Sequence, residues 1–167
     1  MQIPQRSARV GRLPSCIGGA GGTGLILFCD TSALTKLYIR DEFSEQVLAL
    51  AESASAIAVC RIAWAELLAA LARRTRENSA DTPAIEVARL RMRTDWPDYA
   101  IVEVTQPLVE LAGEYADTFA LRGYDSVQLA CARTIQQAAN ETVHFACFDA
   151  RLNKAAGVLG LLTTKAI

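Results

Sequence analysis

Four acidic residues stand at positions where their carboxylates could do chemistry together. Asp30 directly follows the apolar run at 25–29, and Asp149 directly follows the run at 143–148. Asp125 opens a helical pattern just after Leu121-Arg122-Gly123, and Glu66 lies inside another. Glu66 is the most informative. Its neighbours at three- and four-residue spacing are Ile62, Ala63, Ala69 and Ala70, and no Lys or Arg stands at those spacings to pair it. A carboxylate on an apolar stripe is costly unless it is paired or holds a cation. Each residue also has a plain reading. The three aspartates could cap helix N-termini, and Glu66 could sit at the edge of its stripe with its head in water. Together, however, the four could converge on one cleft. Clustered carboxylates repel, so at least one keeps a proton unless a cation is present. An oxygen-only set without His or Cys selects a hard ion, Mg²⁺ or Mn²⁺. Such an ion binds phosphate oxygens and activates water, which is the chemistry of phosphodiester hydrolysis.

The elements that must position these acids are legible in the hydrophobic pattern. Continuous apolar runs at 25–29, 57–60, 100–104 and 143–148, with a short one at 160–164, predict strands buried on both faces. Amphipathic patterns at 31–39, 43–53, 62–76, 83–96, 107–121, 126–140 and 150–159 predict helices, with Gly123 breaking the pair at 107–140. Strands alternating with helices predict a three-layer α/β/α fold around a mostly parallel sheet of four to five strands. Ligands in such folds gather beyond the carboxyl ends of the strands, near the switch in strand order. Asp30 and Asp149 fall at strand carboxyl ends. Residues 1–24 are glycine-rich and lack a periodic apolar face, so they are expected to be a flexible extension or a misassigned start, with 25–167 forming one domain.

Composition narrows the classes. A chain of 167 residues that is 51% hydrophobic and 21% charged is not disordered, and it is long enough for one domain with a sizeable core. The net charge of -1 conceals an asymmetry: Arg6, Arg9 and Arg12 lie in the first 24 residues without an acid, leaving 14 basic and 18 acidic residues in 25–167. Bulk electrostatics therefore does not draw in a polyanion, and local basic patches must. The candidates are Arg73, Arg74 and Arg76, then Arg89, Arg91 and Arg93. Arg89 and Arg93 share a helical face. A solvated helical hairpin is the plain alternative for this run.

Cys16, Cys29, Cys60, Cys131 and Cys147 show no zinc or redox spacing, so they read as reduced thiols in a cytoplasm. No segment approaches the roughly 18 apolar residues of a membrane span, and the leader lacks a signal-peptide core. His144, Trp64, Tyr115 and Phe119 read as structural, while Tyr124, beside Asp125, could shape a groove.

Four segments, LILFCDTSALTKLYI, IAWAELLAAL, LRGYDSVQLACA and CFDARLNKAAGVLGL, resemble those of the PIN domain in order and spacing, from about Leu25 to the C-terminus. Within that family the sequence looks like the VapC-type toxins of bacterial toxin–antitoxin modules. The resemblance implies a Mg²⁺- or Mn²⁺-dependent endoribonuclease in which Asp30, Glu66, Asp125 and Asp149 form the acidic cluster and Ser32 places a hydroxyl close to the metal. It also implies a homodimer, an RNA substrate cut to 5′-phosphate and 3′-hydroxyl ends, and an antitoxin that lays a peptide across the groove. The chain departs from the family pattern in having Cys147 where Thr or Ser is frequent, Gln128 where many relatives have His, and its 24-residue leader.

Two rival readings fit less well. A haloacid-dehalogenase-type phosphatase needs a second Asp two residues after the first, where Ser32 stands. A catalytically inactive PIN-like module that only dimerises or binds a partner would have no use for four mutually repelling acids.

Overall fold

The apolar runs form strands because their side chains alternate between two buried faces. In β1 (Leu25–Cys29), Ile26 and Phe28 point into one core and Leu27 and Cys29 into the other. The computed structural model describes residues 24–139 and 141–164, so the expectations for residues 1–23, including Cys16, lie outside the described residues.

The order after β1 is α1 (Thr31–Lys36), α2 (Ser44–Ser53), β2 (Ala56–Cys60), α3 (Ala63–Glu77), α4 (Thr82–Asp95), β3 (Ala100–Val102), α5 (Gln106–Phe119), α6 (Gly123–Ala138), β4 (Thr142–Ala146), α7 (Ala150–Val158) and β5 (Leu162–Thr163). All strand pairs are parallel, in the order β3-β2-β1-β4-β5. Helices α1 to α4 cover one face, where Leu34, Leu67, Leu71, Ile85 and Met92 pack on Leu27, Ile57 and Val59. Helices α5 to α7 cover the other, where Leu108, Leu129 and Leu152 pack on Ile26, Ala58 and Val143, and Phe28 stacks on Phe145 at 5.7 Å. The expected three-layer α/β/α architecture is the observed one.

The chain builds outward from β1 through β2 to β3, then returns to the other side of β1 for β4 and β5. The switch in strand order therefore lies between β1 and β4, and a crevice opens beyond their carboxyl ends.

Two details differ from the sequence reading. The α5–α6 break is made by Ala120, which takes a left-handed φ of 52° at the end of α5, and Gly123 becomes the first residue of α6. Helix α6 therefore starts before Asp125 and places it in the first turn rather than at the cap. The strand expected at 100–104 pairs only over 100–102.

Several plain readings hold. Trp64 packs edge-on to Trp96 at 5.0 Å, Tyr115 lies against Phe119 at 5.8 Å, and His144 meets the Thr164 hydroxyl at 3.2 Å. Cys29, Cys60, Cys131 and Cys147 are buried and free of disulfides. Among the described residues no helix is long and apolar enough to cross a membrane.

Candidate active site

All four acids arrive at the carboxyl end of the sheet by local rules. Asp30 caps α1: one carboxylate oxygen accepts from the Ala33 amide at 2.9 Å and the Ser32 hydroxyl at 2.7 Å. Asp149 caps α7 by accepting from the Leu152 amide at 2.9 Å. Asp125 lies three residues into α6 and its carboxylate accepts the Arg122 backbone N–H, the acid half of a capping box. Glu66 lies in the first turn of α3, immediately beyond β2. The plain reading of the aspartates as helix-start residues is thus correct, and it is also what aims them at the crevice.

Side chains from distant elements hold the inner acids. The Thr31 hydroxyl donates to Glu66, and the Gln128 amide donates to the same Glu66 oxygen at 2.8 Å and to the Thr31 hydroxyl at 3.2 Å. Gln128 is one turn beyond Asp125 on α6, so this amide joins the α1–α3 side of the crevice to the α6 side. A second link runs through Cys147, whose thiol hydrogen-bonds the Asp30 carboxylate and whose sulfur accepts the Asp149 amide at 3.2 Å. Cysteine therefore serves where Ser or Thr is frequent in relatives. Ser32 accepts the Phe148 amide at 3.3 Å while donating to Asp30, which pins the β4–α7 loop to the α1 start. That loop is further held by Phe148 stacking on Phe43 at 5.2 Å, with the Lys36 ammonium 4.9 Å from the Phe148 ring.

The electrostatics divide the site. Burial raises the pKa of Asp30 above the ordinary carboxylate value, against the hydrogen bonds from Ala33 and Ser32 that lower it. Asp125 is also raised, first by partial burial and then by the Asp149 charge, while Arg122 and Arg151 act in the opposite sense. The Cys147 thiol is pushed well up by burial and by Asp30 beside it.

The donor set is all oxygen, as a hard divalent cation requires, and burial with mutual repulsion is the condition that such a cation relieves. Gln128 Oε1 is a further oxygen, buried and without a hydrogen-bond partner among the described residues. Among the described residues, no three His, Cys, Asp or Glu side chains stand close enough together to hold one ion. The spread suits an ion that keeps several of its waters, as Mg²⁺ does.

The arginines predicted to meet a polyanion lie on α3 and α4. These helices run antiparallel: Arg93 sits over the Trp64 ring at 5.6 Å, and Arg74 meets Asp81 at 3.1 Å. Arg93 and Arg89 lie toward the α3 start that carries Glu66, while Arg73, Arg74 and Arg76 lie toward its far end. Several are engaged locally, Arg73 with Glu77, Arg74 with Asp81 and Arg89 with Glu86. Sequence reasoning missed Arg122 and Arg151, which face Asp125, and Thr31, which anchors Glu66. Thr31 was legible only as part of a hydroxyl pair following Asp30. No sequence signal distinguishes Arg122 and Arg151.

A parallel α/β sheet with four acids standing beyond the carboxyl ends of its strands defines the class of domain. The chain belongs to the PIN domain family, which it matches over residues 27–158. It is 30% identical over 135 residues to Ribonuclease VapC45 of Mycobacterium tuberculosis strain CDC 1551 / Oshkosh, a match covering 81% of this chain and 92% of that protein. The same figures hold for Ribonuclease VapC49 of strain ATCC 25618 / H37Rv. The fold is shared with FitAcB from Neisseria gonorrhoeae, at TM-score 0.61 and 17% identity over 83% of this chain and 96% of that one. It is also shared with a toxin–antitoxin complex from Klebsiella pneumoniae, at TM-score 0.54 and 17% identity over 74% of this chain and 86% of that one.

Proposed function

We propose that this protein is a metal-dependent endoribonuclease, the toxin of a toxin–antitoxin pair, acting in the cytoplasm through a nuclease domain spanning residues 25–167. One observation supports the reading: Asp30, Glu66, Asp125 and Asp149 stand on four separate elements beyond the carboxyl ends of the strands, with Glu66 held by Thr31 and Gln128 and Asp30 by Ser32. Kinship to two proteins named ribonucleases gives the cleft its polymer.

In this reading Asp30, Glu66 and Asp125 would hold the principal Mg²⁺ or Mn²⁺, directly or through its waters, and Asp149 would complete the site or orient a water. The bound ion supplies charge neutralisation at the phosphate and a water of lowered pKa. The chain's own residues do the rest. Ser32 and the Ala33 amide fix the Asp30 carboxylate in one orientation. Thr31 and Gln128 fix Glu66, and Gln128 Oε1 offers an acceptor to water at the site. Arg73, Arg74, Arg76, Arg89 and Arg93 form the basic track that draws in RNA against the acidic charge of the domain. The partners are an RNA substrate, a second copy in a homodimer, and an antitoxin that covers the groove.

A catalytically inactive partner-binding module is the second reading, and the dispersal of the acids favours it. Calorimetric titration with Mn²⁺ separates the two, because an inert scaffold takes up no ion. The direct test is cleavage of RNA with Mn²⁺ by the purified protein and by Asp30→Asn. Cleavage by the parent alone is expected, and equal cleavage by both overturns the assignment.

A further inference from the structure

A groove of about 730 Å³ runs from the acid site along α5. Glu66 and Asp125 form its polar end, and Val109, Ala112 and Gly113 of α5 form one wall. Tyr124 and Arg122 line it from the start of α6, Tyr124 with 67% of its surface exposed. We propose that this groove holds the unpaired nucleotide adjoining the scissile phosphate, with its base between the Tyr124 ring and the α5 wall and its phosphate toward Arg122.

The inference rests on the RNA-cleaving reading and adds where the flanking nucleotide goes. Chain continuity supplies the first argument. A phosphate placed at Glu66 and Asp125 is joined covalently to nucleotides one step away, and the groove walled by those two acids is continuous with that position. The second argument is the surface itself. An exposed aromatic ring beside an apolar wall accepts any base by stacking, and an arginine at the mouth supplies the positive charge a backbone needs. Arg122 has no ion-paired carboxylate within 4.0 Å among the described residues, so its guanidinium is available to a phosphate.

Gly113 supplies the third. It lies in the middle of α5, where glycine is the poorest helix former except proline, yet a Cβ built on it meets nothing within 4 Å. Packing within the described chain therefore does not require a glycine there. Its effect is to keep the α5 wall recessed. A base already paired and stacked in a duplex cannot enter such a slot, so the groove selects single-stranded RNA.

The test places bulk in the groove from α5 and removes the ring at the start of α6. Gly113→Phe, Gly113→Ala, Tyr124→Ala and Tyr124→Phe are made in an Asp30→Asn background. Affinity for a short fluorescein-labelled single-stranded RNA is read by anisotropy, alongside melting temperature and solution mass. Gly113→Phe and Tyr124→Ala should each bind about tenfold more weakly, with Gly113→Ala and Tyr124→Phe near the parent value. In the cleavage-competent protein the same two variants should raise KM more than they lower kcat. Unchanged binding by well-folded Gly113→Phe and Tyr124→Ala overturns the proposal. So does a change of solution mass in Gly113→Phe, which would make the groove a contact between protein copies. If the parent binds this RNA but leaves it uncut with Mn²⁺, the nuclease reading fails while the groove assignment is still decided by the variants.

Discussion

The two halves of the acid site are built differently. Asp30 and Glu66 form an inner half, where Asp30 is buried at the end of the central strand and each carboxylate is held by side chains that have no other task in the core. Asp125 and Asp149 form an outer half at two helix starts, where Asp149 is exposed and its charge raises the pKa of Asp125. The inner half is organised before any ligand arrives. In the outer half the charge of Asp149 disfavours ionisation of Asp125, an effect that a cation or a proton would relieve.

The sharpest way to break the comparison is at Asp30. Asp30→Asn keeps an N-cap acceptor for the Ala33 amide and removes the charge, so it should fold normally and lose cleavage by about 10²-fold or more. Asp30→Ala loses the cap as well and should be less stable by about 1 kcal/mol. Cleavage assays paired with melts check both. If Asp30→Asn retains more than a tenth of the parent rate, the inner half is not the one that matters.

Gln128 tests whether the inner half is pre-organised or merely buried. Its amide bonds both Glu66 and Thr31, so Gln128→Ala removes the link between α6 and α3 and leaves Glu66 one donor short. A loss of about 1–3 kcal/mol in stability is expected from the unsatisfied buried group. Mn²⁺ affinity should fall about tenfold, the usual effect of losing a residue that orients a ligand. Calorimetric titration reads the second quantity. An unchanged affinity would assign Gln128 to packing alone.

How much of this was visible in the sequence follows from the range of each interaction. Five apolar runs foretold five strands, because a parallel strand buried on both faces has no polar side to hide its pattern. Asp30 and Asp149 were legible because they directly follow such runs, and Glu66 because its helical neighbours are apolar. The bonds that hold Glu66 were not legible. Thr31 is 35 residues from Glu66 and Gln128 is 62, so neither bond leaves a spacing to read. The arginines show the same limit. The run at 73–93 stood out by its density of charge, yet it carries its own intrahelical partners. Arg122 and Arg151 are isolated in sequence and meet Asp125 only because α6 and α7 both start at the crevice.

The charge of the site also gives it a pH signature. Asp30 and Asp125 both have raised pKa values in the fold. Folding is therefore favoured by their protonation at low pH, and that contribution is lost as pH rises through the folded values, above the ordinary 3.8. Added Mn²⁺ must act in the opposite sense, since it binds the ionised carboxylates and stabilises only the folded chain. The melting-temperature gain on adding Mn²⁺ should be several degrees near neutral pH and shrink as the pH falls and these carboxyls take up protons. Thermal melts across that range decide it. A gain independent of pH would place the ion away from these acids.

The smallest effect should come from Asp149, and its sign carries the information. Asparagine is as good an N-cap as aspartate, so Asp149→Asn keeps the bond from the Leu152 amide and leaves α7 intact. What it removes is the charge facing Asp125. The Asp125 carboxyl then moves back toward its ordinary value, and the destabilisation that this carboxylate brings at neutral pH shrinks. Because Asp125 is only partly buried, the gain should stay within about 0.5 kcal/mol, the scale of surface substitutions. The melting point of Asp149→Asn without metal should therefore lie slightly above the parent near neutral pH. The difference should vanish as Asp125 takes up its proton. With Mn²⁺ present the order should reverse, since the variant has lost a negative group that the ion holds in the folded state. A variant less stable than the parent under both conditions would show that Asp149 is a cap and nothing more, and the outer half of the site would reduce to Asp125 alone.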